Sequence, residues 1–116
     1  MQIQAQQSTV TPVLAVARPL LKKNMATITE LCKKNRVRHL WAFGSVTTDK
    51  FKRNSDIDFL VELEEMDPFD YGEAYFAVCF GLEDMFNRKI DLVTVKSLNN
   101  PYFIKSVMAG RQLIYG

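Results

Sequence analysis

From Asp56 to Leu63 the apolar residues Ile57, Phe59, Val61 and Leu63 fall on every second position. This is the period of a strand with one buried face. Alternation then puts Asp56 and Asp58 together on the opposite face, with Cα atoms roughly 6.6 Å apart. Two carboxylates side by side repel each other unless something cationic lies between them, and a divalent metal held by oxygen ligands is the usual answer.

Ahead of the pair, Val37 to Phe43 reads as another strand, with Val37, His39, Trp41 and Phe43 alternating against Arg38, Leu40 and Ala42. Gly44-Ser45 is the sharp turn that leaves it. Glycine lets a backbone come close to a bulky anion, and the N–H groups that open a helical turn can hold phosphate. A phosphate cradle leading into a metal-binding strand is an arrangement for handling a nucleoside triphosphate. A lone Gly-Ser is usually only a turn, and Asp-x-Asp often only solvates a strand end. The specific feature is the combined spacing: Gly44-Ser45, ten residues, then Asp56-Ile57-Asp58.

That spacing resembles the signature of the DNA polymerase β-like nucleotidyltransferases, and most closely their smallest branch, the minimal (MNT) nucleotidyltransferases. The resemblance extends through Arg88-Lys89-Ile90-Asp91-Leu92-Val93, similar to the strand that carries the family's third carboxylate. It continues through Asn100-Pro101-Tyr102-Phe103 to the closing Leu113-Ile114-Tyr115, covering residues 25–116. Many relatives place Arg-Gly third and fourth after the serine, where this chain has Thr48-Asp49. Phosphate charge then falls to Lys50, Lys52 or Arg53, which otherwise read as an ordinary solvated surface.

A chain of 116 residues is expected to form one domain with a single core. The formal net charge of +2 is too small to argue for direct nucleic-acid binding. Cys32 and Cys79 lie in helix-like apolar patterns and read as buried thiols, which fits a reducing cytosol. The apolar stretch from Val10 to Ala17 is short and lacks a basic leader, so neither a signal peptide nor a membrane span is expected. The location expected is cytoplasmic.

Taken in order, residues 1–23 are an N-terminal extension, partly disordered or docking, and 24–116 the minimal nucleotidyltransferase domain. Thr27 with Glu30 is a candidate capping box for a helix that ends near Asn35, with Ile28 and Leu31 facing the core. Residues 45–54 form a loop with room for one helical turn. Glu62, Glu64 and Glu65 read as a solvated strand end, and His39 as structural. Asp67-Pro68 starts a helix reaching Asn87, with Asp as the cap and Pro at the first position. A third strand from Ile90 to Val95 puts Asp91, Val93 and Val95 on one face. A last helix from Asn100-Pro101 ends at Gly110, followed by a short extended tail.

The implied fold class is α/β (α+β), the polymerase β-like nucleotidyltransferase fold: a small mixed sheet with helices on the face opposite the aspartates. By family resemblance, Asp56, Asp58 and Asp91 are catalytic and hold two Mg²⁺ ions, while Gly44 and Ser45 hold the phosphates of ATP. Many MNT proteins are antitoxins that place AMP on a tyrosine of a HEPN-domain toxin, so a HEPN partner is the expected acceptor. The rivals are a binding-only antitoxin that neutralises by contact, and transfer to a small molecule.

The helix after Pro68 carries one further expectation. At 100° per residue Ala74, Tyr75, Val78, Cys79, Leu82, Met85 and Phe86 share a broad face, enough to bury against the sheet. Phe69, Phe76 and Phe80 form a second stripe almost opposite, flanked by Glu73 and Glu83. That stripe reads as a partner interface for the toxin or for a second copy of the chain, unless residues 13–21 or the last helix fold over it.

Overall fold

The computed structural model describes residues 18–116. The strands are Val37–Phe43 (β1), Ile57–Leu63 (β2), Ile90–Thr94 (β3) and Gln112–Tyr115 (β4). They form one mixed sheet in the order β3-β2-β1-β4, with β1 antiparallel to both β2 and β4, and β2 parallel to β3. The helices are Arg18–Lys23 (α1), Met25–Lys34 (α2), Pro68–Phe86 (α3) and Pro101–Gly110 (α4). Short 3-10 turns occupy Gly44–Thr47 and Val95–Ser97. No helix among the described residues is long and apolar enough to cross a membrane.

The alternation in β2 is realised on its core face, but the expectation of one buried face and of helices only opposite the aspartates is not met: Leu60 is buried on the aspartate side as well, beneath the last helix. Ile57, Phe59, Val61 and Leu63 are buried with Leu40 and Ala42 of β1 and Ile90 and Leu92 of β3. In β1 the register shifts between Val37 and His39, so that Val37, Leu40 and Ala42 are all buried although their spacing is not strictly two. The irregularity turns the strand by one residue and leaves His39 and Trp41 half-buried on the other face.

Two helices cover the core face. Ile28 and Cys32 of α2 and Ala74, Val78, Leu82 and Phe86 of α3 are buried there, with Tyr75, Cys79 and Met85 packed alongside. A Cβ at Gly81 would lie 2.7 Å from Leu31, so glycine lets α2 and α3 approach closely. The α3 termini match expectation. Asp67 accepts a hydrogen bond from the Asp70 N–H at 2.9 Å, Pro68 sits in the first turn, and Asn87 closes the helix at φ 52°.

The capping box at Thr27 is not formed. The helix begins at Met25, and Asn24 at its start makes no side-chain cap. Instead the Asn24 side chain donates to the Leu20 carbonyl at 2.9 Å, tying α2 to α1. Leu21 is buried in the core and Leu20 packs against it. The short α1 therefore docks, its apolar contact setting where α2 starts. The remainder of the 13–21 segment, residues 13–17, lies outside the described residues.

On the opposite side of the sheet a smaller cluster joins Phe43, Leu60 and Val107, with Trp41, Val93, Val95 and Leu98 packed against it. Val107 belongs to α4, so the last helix lies on the aspartate side. The tail after it is β4, an edge strand on β1. The Glu residues at the end of β2 are paired: Glu62 with His39 at 2.7 Å, Glu64 with Arg36 at 3.5 Å, and Glu65 with Lys96 at 3.4 Å. Such surface pairs contribute up to about 1 kcal/mol each.

Candidate active site

The site is assembled where β1 ends, β2 begins and β3 begins. Phe43, the last residue of β1, is paired with Asp58, and Asp58 is in register with Asp91 on β3. Neighbouring strands lie about 4.8 Å apart, so these two carboxylates share one corner of the sheet. Asp56 lies just ahead of β2 and is exposed, as is Asp91, whereas Asp58 is half-buried.

At the end of β1 the chain turns through Gly44, at φ +76°. A Cβ there would collide with the Asp58 carboxylate, Oδ2 being the nearest atom and Cγ 3.2 Å away. Both the conformation and the space demand glycine. The turn is anchored by Val46 and Thr47, both buried, and closed by hydroxyls: Thr47 Oγ1 donates to the Gly44 carbonyl at 2.8 Å and Thr48 Oγ1 to the Ser45 carbonyl at 2.9 Å. These bonds occupy the turn's carbonyls. The first N–H groups of such a turn have no acceptor within it.

Electrostatics mark Asp58. Its carboxyl is pushed up to about 6, chiefly by burial and then by the charges of Asp91 and Asp56. Crowded carboxylates that resist joint ionisation are what a bound cation would relieve. Among the described residues, no three acidic, His or Cys side chains already converge as a metal cage. Mg²⁺ does not require one. It is commonly held by one or two carboxylates together with substrate phosphates and water. The oxygen-only donor set and the raised Asp58 are in accord with such an ion.

Lys50, Lys52 and Arg53 are exposed in the loop between the turn and β2, and none is in a salt bridge among the described residues. Thr48 serves as a staple of this loop, its hydroxyl also accepting the Lys50 N–H at 3.1 Å. Phe69, Phe76 and Phe80 are not part of this site. They lie along the outer face of α3 with exposures of 72%, 54% and 60%, and the Phe76 and Phe80 rings stack at 5.7 Å. No described residue covers them, and the last helix packs on the other side of the sheet.

Sequence reasoning overlooked two contributors. Thr47 is legible in retrospect as a hydroxyl three residues past a turn glycine. Phe103 at the start of α4 meets Phe43 edge-on at 6.1 Å and so borders the Asp58 corner, with no local signal to announce it.

Comparison with known proteins gives the family. A family profile described as the nucleotidyltransferase domain matches residues 25–114. A protein of Methanocaldococcus jannaschii that carries the provisional name protein adenylyltransferase is 32% identical over 94 residues, covering 81% of this chain and 90% of that protein. A crystal structure of a toxin-antitoxin with AMP-PNP has a similar fold, with a TM-score of 0.63 and 24% identity over 80% of this chain and 73% of that chain. A tri-AMPylated HEPN toxin of Shewanella oneidensis in complex with an MNT antitoxin gives a TM-score of 0.57 and 20% identity, over 83% and 72% of the two chains. On the strength of the family match and the sequence relative, the chain belongs to the nucleotidyltransferase domain family and is a nucleotidyltransferase.

Proposed function

We propose that the chain is a Mg²⁺-dependent adenylyltransferase that moves AMP from ATP to a tyrosine hydroxyl of a HEPN-family toxin, acting as that toxin's antitoxin in the cytoplasm. The observation that carries the reading is the abutment of the Gly44 backbone on the Asp58 carboxylate, with Asp91 in register beside it. This sets the start of the Gly44–Thr47 turn, with its free N–H groups, against the acidic corner in a nucleotidyltransferase. The provisional name of the archaeal relative and the AMPylated toxin in a complex of the same fold support the choice of AMP and of a protein acceptor.

In this reading Asp56 and Asp58 would hold both of two ions, and Asp91 the ion on the acceptor side. When bound, the ions supply activation of the acceptor hydroxyl and neutralisation of charge on the departing pyrophosphate. Ser45 and the N–H groups of the 44–47 turn hold the β- and γ-phosphates, with Lys50, Lys52 and Arg53 meeting the remaining charge. The acceptor oxygen attacks the α-phosphorus in line, pyrophosphate leaves, and Asp91 helps take the hydroxyl proton. The residues contribute mainly positioning and charge. The exposed Phe69, Phe76 and Phe80 are the surface on which the partner would sit.

The test is incubation with α-labelled ATP, Mg²⁺ and a HEPN-family toxin. Label on a partner tyrosine, lost in Asp58→Ala, is the expected result. Partner neutralised with no label transferred would instead favour a binding-only antitoxin, the reading to which Thr48-Asp49 in place of Arg-Gly points.

A further inference from the structure

Arg88 stands three residues before Asp91, at the entrance to β3. Its Nη1 donates to the Ser55 carbonyl at 2.8 Å and, more weakly, to the Lys52 carbonyl at 3.4 Å. The guanidinium lies over the ring of Phe51, 4.9 Å from its centre, and Phe51 is buried in the main core. The turn it grips is already closed on itself. Ser55 N–H donates to the Lys52 carbonyl at 3.0 Å, and Lys52 N–H to the Ser55 hydroxyl at 2.9 Å. Two residues further on, the Ile57 N–H donates to the carbonyl of Lys89 at 3.3 Å.

These bonds bracket Asp56. The Ser55 carbonyl belongs to the peptide unit before Asp56, and the Ile57 N–H to the unit after it. Two successive residues, Arg88 and Lys89, thus hold both peptide planes that flank its Cα. With both planes held, the backbone dihedrals of Asp56 are set and so is the direction of its Cβ. The Lys89 tie is a backbone bond common to any parallel ladder. The Arg88 tie is a side-chain fork from a planar, permanently charged group, and a lysine cannot reproduce both its hydrogen-bond geometry and its stacking.

We propose that Arg88 is the positioning residue of the site: it holds the Lys52–Ser55 turn against β3 and thereby aims the Asp56 carboxylate toward the corner shared by Asp58 and Asp91. The same grip fixes the base of Lys52 and Arg53. The assignment rests on the carboxylate site proposed above, while the clamp itself can be read independently of any activity.

Two measurements on the full chain test it. In the first, amide hydrogen exchange is followed with EDTA present. Arg88→Met, which keeps an apolar side chain beside Phe51, should speed exchange at Ser55 and Ile57, the two amides there with acceptors, on the order of tenfold, the loss expected for one charged hydrogen bond. Exchange in β1 and α3 should stay as in the wild type, and Arg88→Lys should recover part of the protection. In the second, Mn²⁺ affinity is measured by calorimetry with ATP present. Arg88→Met should weaken it several-fold in the wild type and hardly at all in Asp56→Asn, because the two changes remove the same contribution. Unchanged exchange at Ser55 and Ile57 overturns the clamp, as does a uniform rise through the whole domain. Equal weakening of Mn²⁺ in both backgrounds overturns the link to Asp56. A wild-type chain that binds no Mn²⁺ with ATP sinks the metal-site reading instead, and the exchange measurement still decides the clamp.

Discussion

The Asp58 carboxylate rests against the backbone of Gly44, across the pair that joins the end of β1 to the start of β2, in the space a side chain at position 44 would fill. Any side chain there meets two obstacles, the left-handed conformation at φ +76° and the carboxylate itself. Gly44→Ala should cost at least about 1–2 kcal/mol of stability from the conformation alone, and Gly44→Val more. Both should abolish nucleotide transfer, because the carboxylate must move away. Urea denaturation together with a transfer assay checks this. A Gly44→Val protein of wild-type stability would contradict the geometry.

The elevated Asp58 carboxyl makes stability depend on pH in a defined direction. Its folded value of about 6 lies above the 3.8 of an unperturbed aspartate, so the folded state binds the proton more tightly. Stability without metal should fall as pH rises from about 4 to about 6 and stay reduced above. Asp58→Asn should therefore gain stability at pH 7.5, by about 1 kcal/mol after discounting for solvent screening. The gain should vanish near pH 4. Denaturant midpoints at the two pH values, in EDTA, give the answer. Adding Mg²⁺ and ATP should favour the wild type and reverse the order.

Ser45 contributes one hydroxyl to the proposed phosphate cradle. Ser45→Ala should weaken ATP binding by roughly 1 kcal/mol, or more if the phosphate accepts as a charged group, while the turn stays closed by Thr47 and Thr48. Calorimetry on the variant with Mg²⁺ present is the check, and unchanged affinity would remove the serine from the cradle.

Phe76 lies at the middle of the exposed stripe on α3, stacked on Phe80. Phe76→Glu should leave the domain folded and cost about 2 kcal/mol or more of partner association, as for a central contact in an interface. Co-purification with the HEPN protein, sedimentation for self-association, and circular dichroism as a folding control separate the outcomes. A folded variant with undiminished association places the interface elsewhere. An unfolded one means the ring is covered within the chain.

Much of the local structure follows directly from the order of residues. The two-residue period from Ile57 to Leu63 dictates a strand with a core face, and with it the side to which Asp58 points. Asp67-Pro68 and Asn87 bound a helix because an acceptor, a preset φ and a residue tolerant of the left-handed region act over one turn. These are short-range effects, decided by a residue and its neighbours within about four positions.

What the order of residues left undecided depends on contacts between distant segments. Thr27 and Glu30 have the chemistry of a capping box, yet the helix starts at Met25 because Leu21 is drawn into the core and Asn24 bonds back to Leu20. The extended tail after Gly110 becomes a strand only because β1 offers it a free edge, and Glu62, Glu64 and Glu65 find their partners on other segments. The site shows the same division. Each aspartate could be named from its motif, but Asp58 is raised by burial and by Asp91 across the sheet, and the peptide units around Asp56 are held by residues more than thirty positions away. Burial and through-space charge depend on three-dimensional distance, which local periodicity does not encode, so only the folded arrangement sets them.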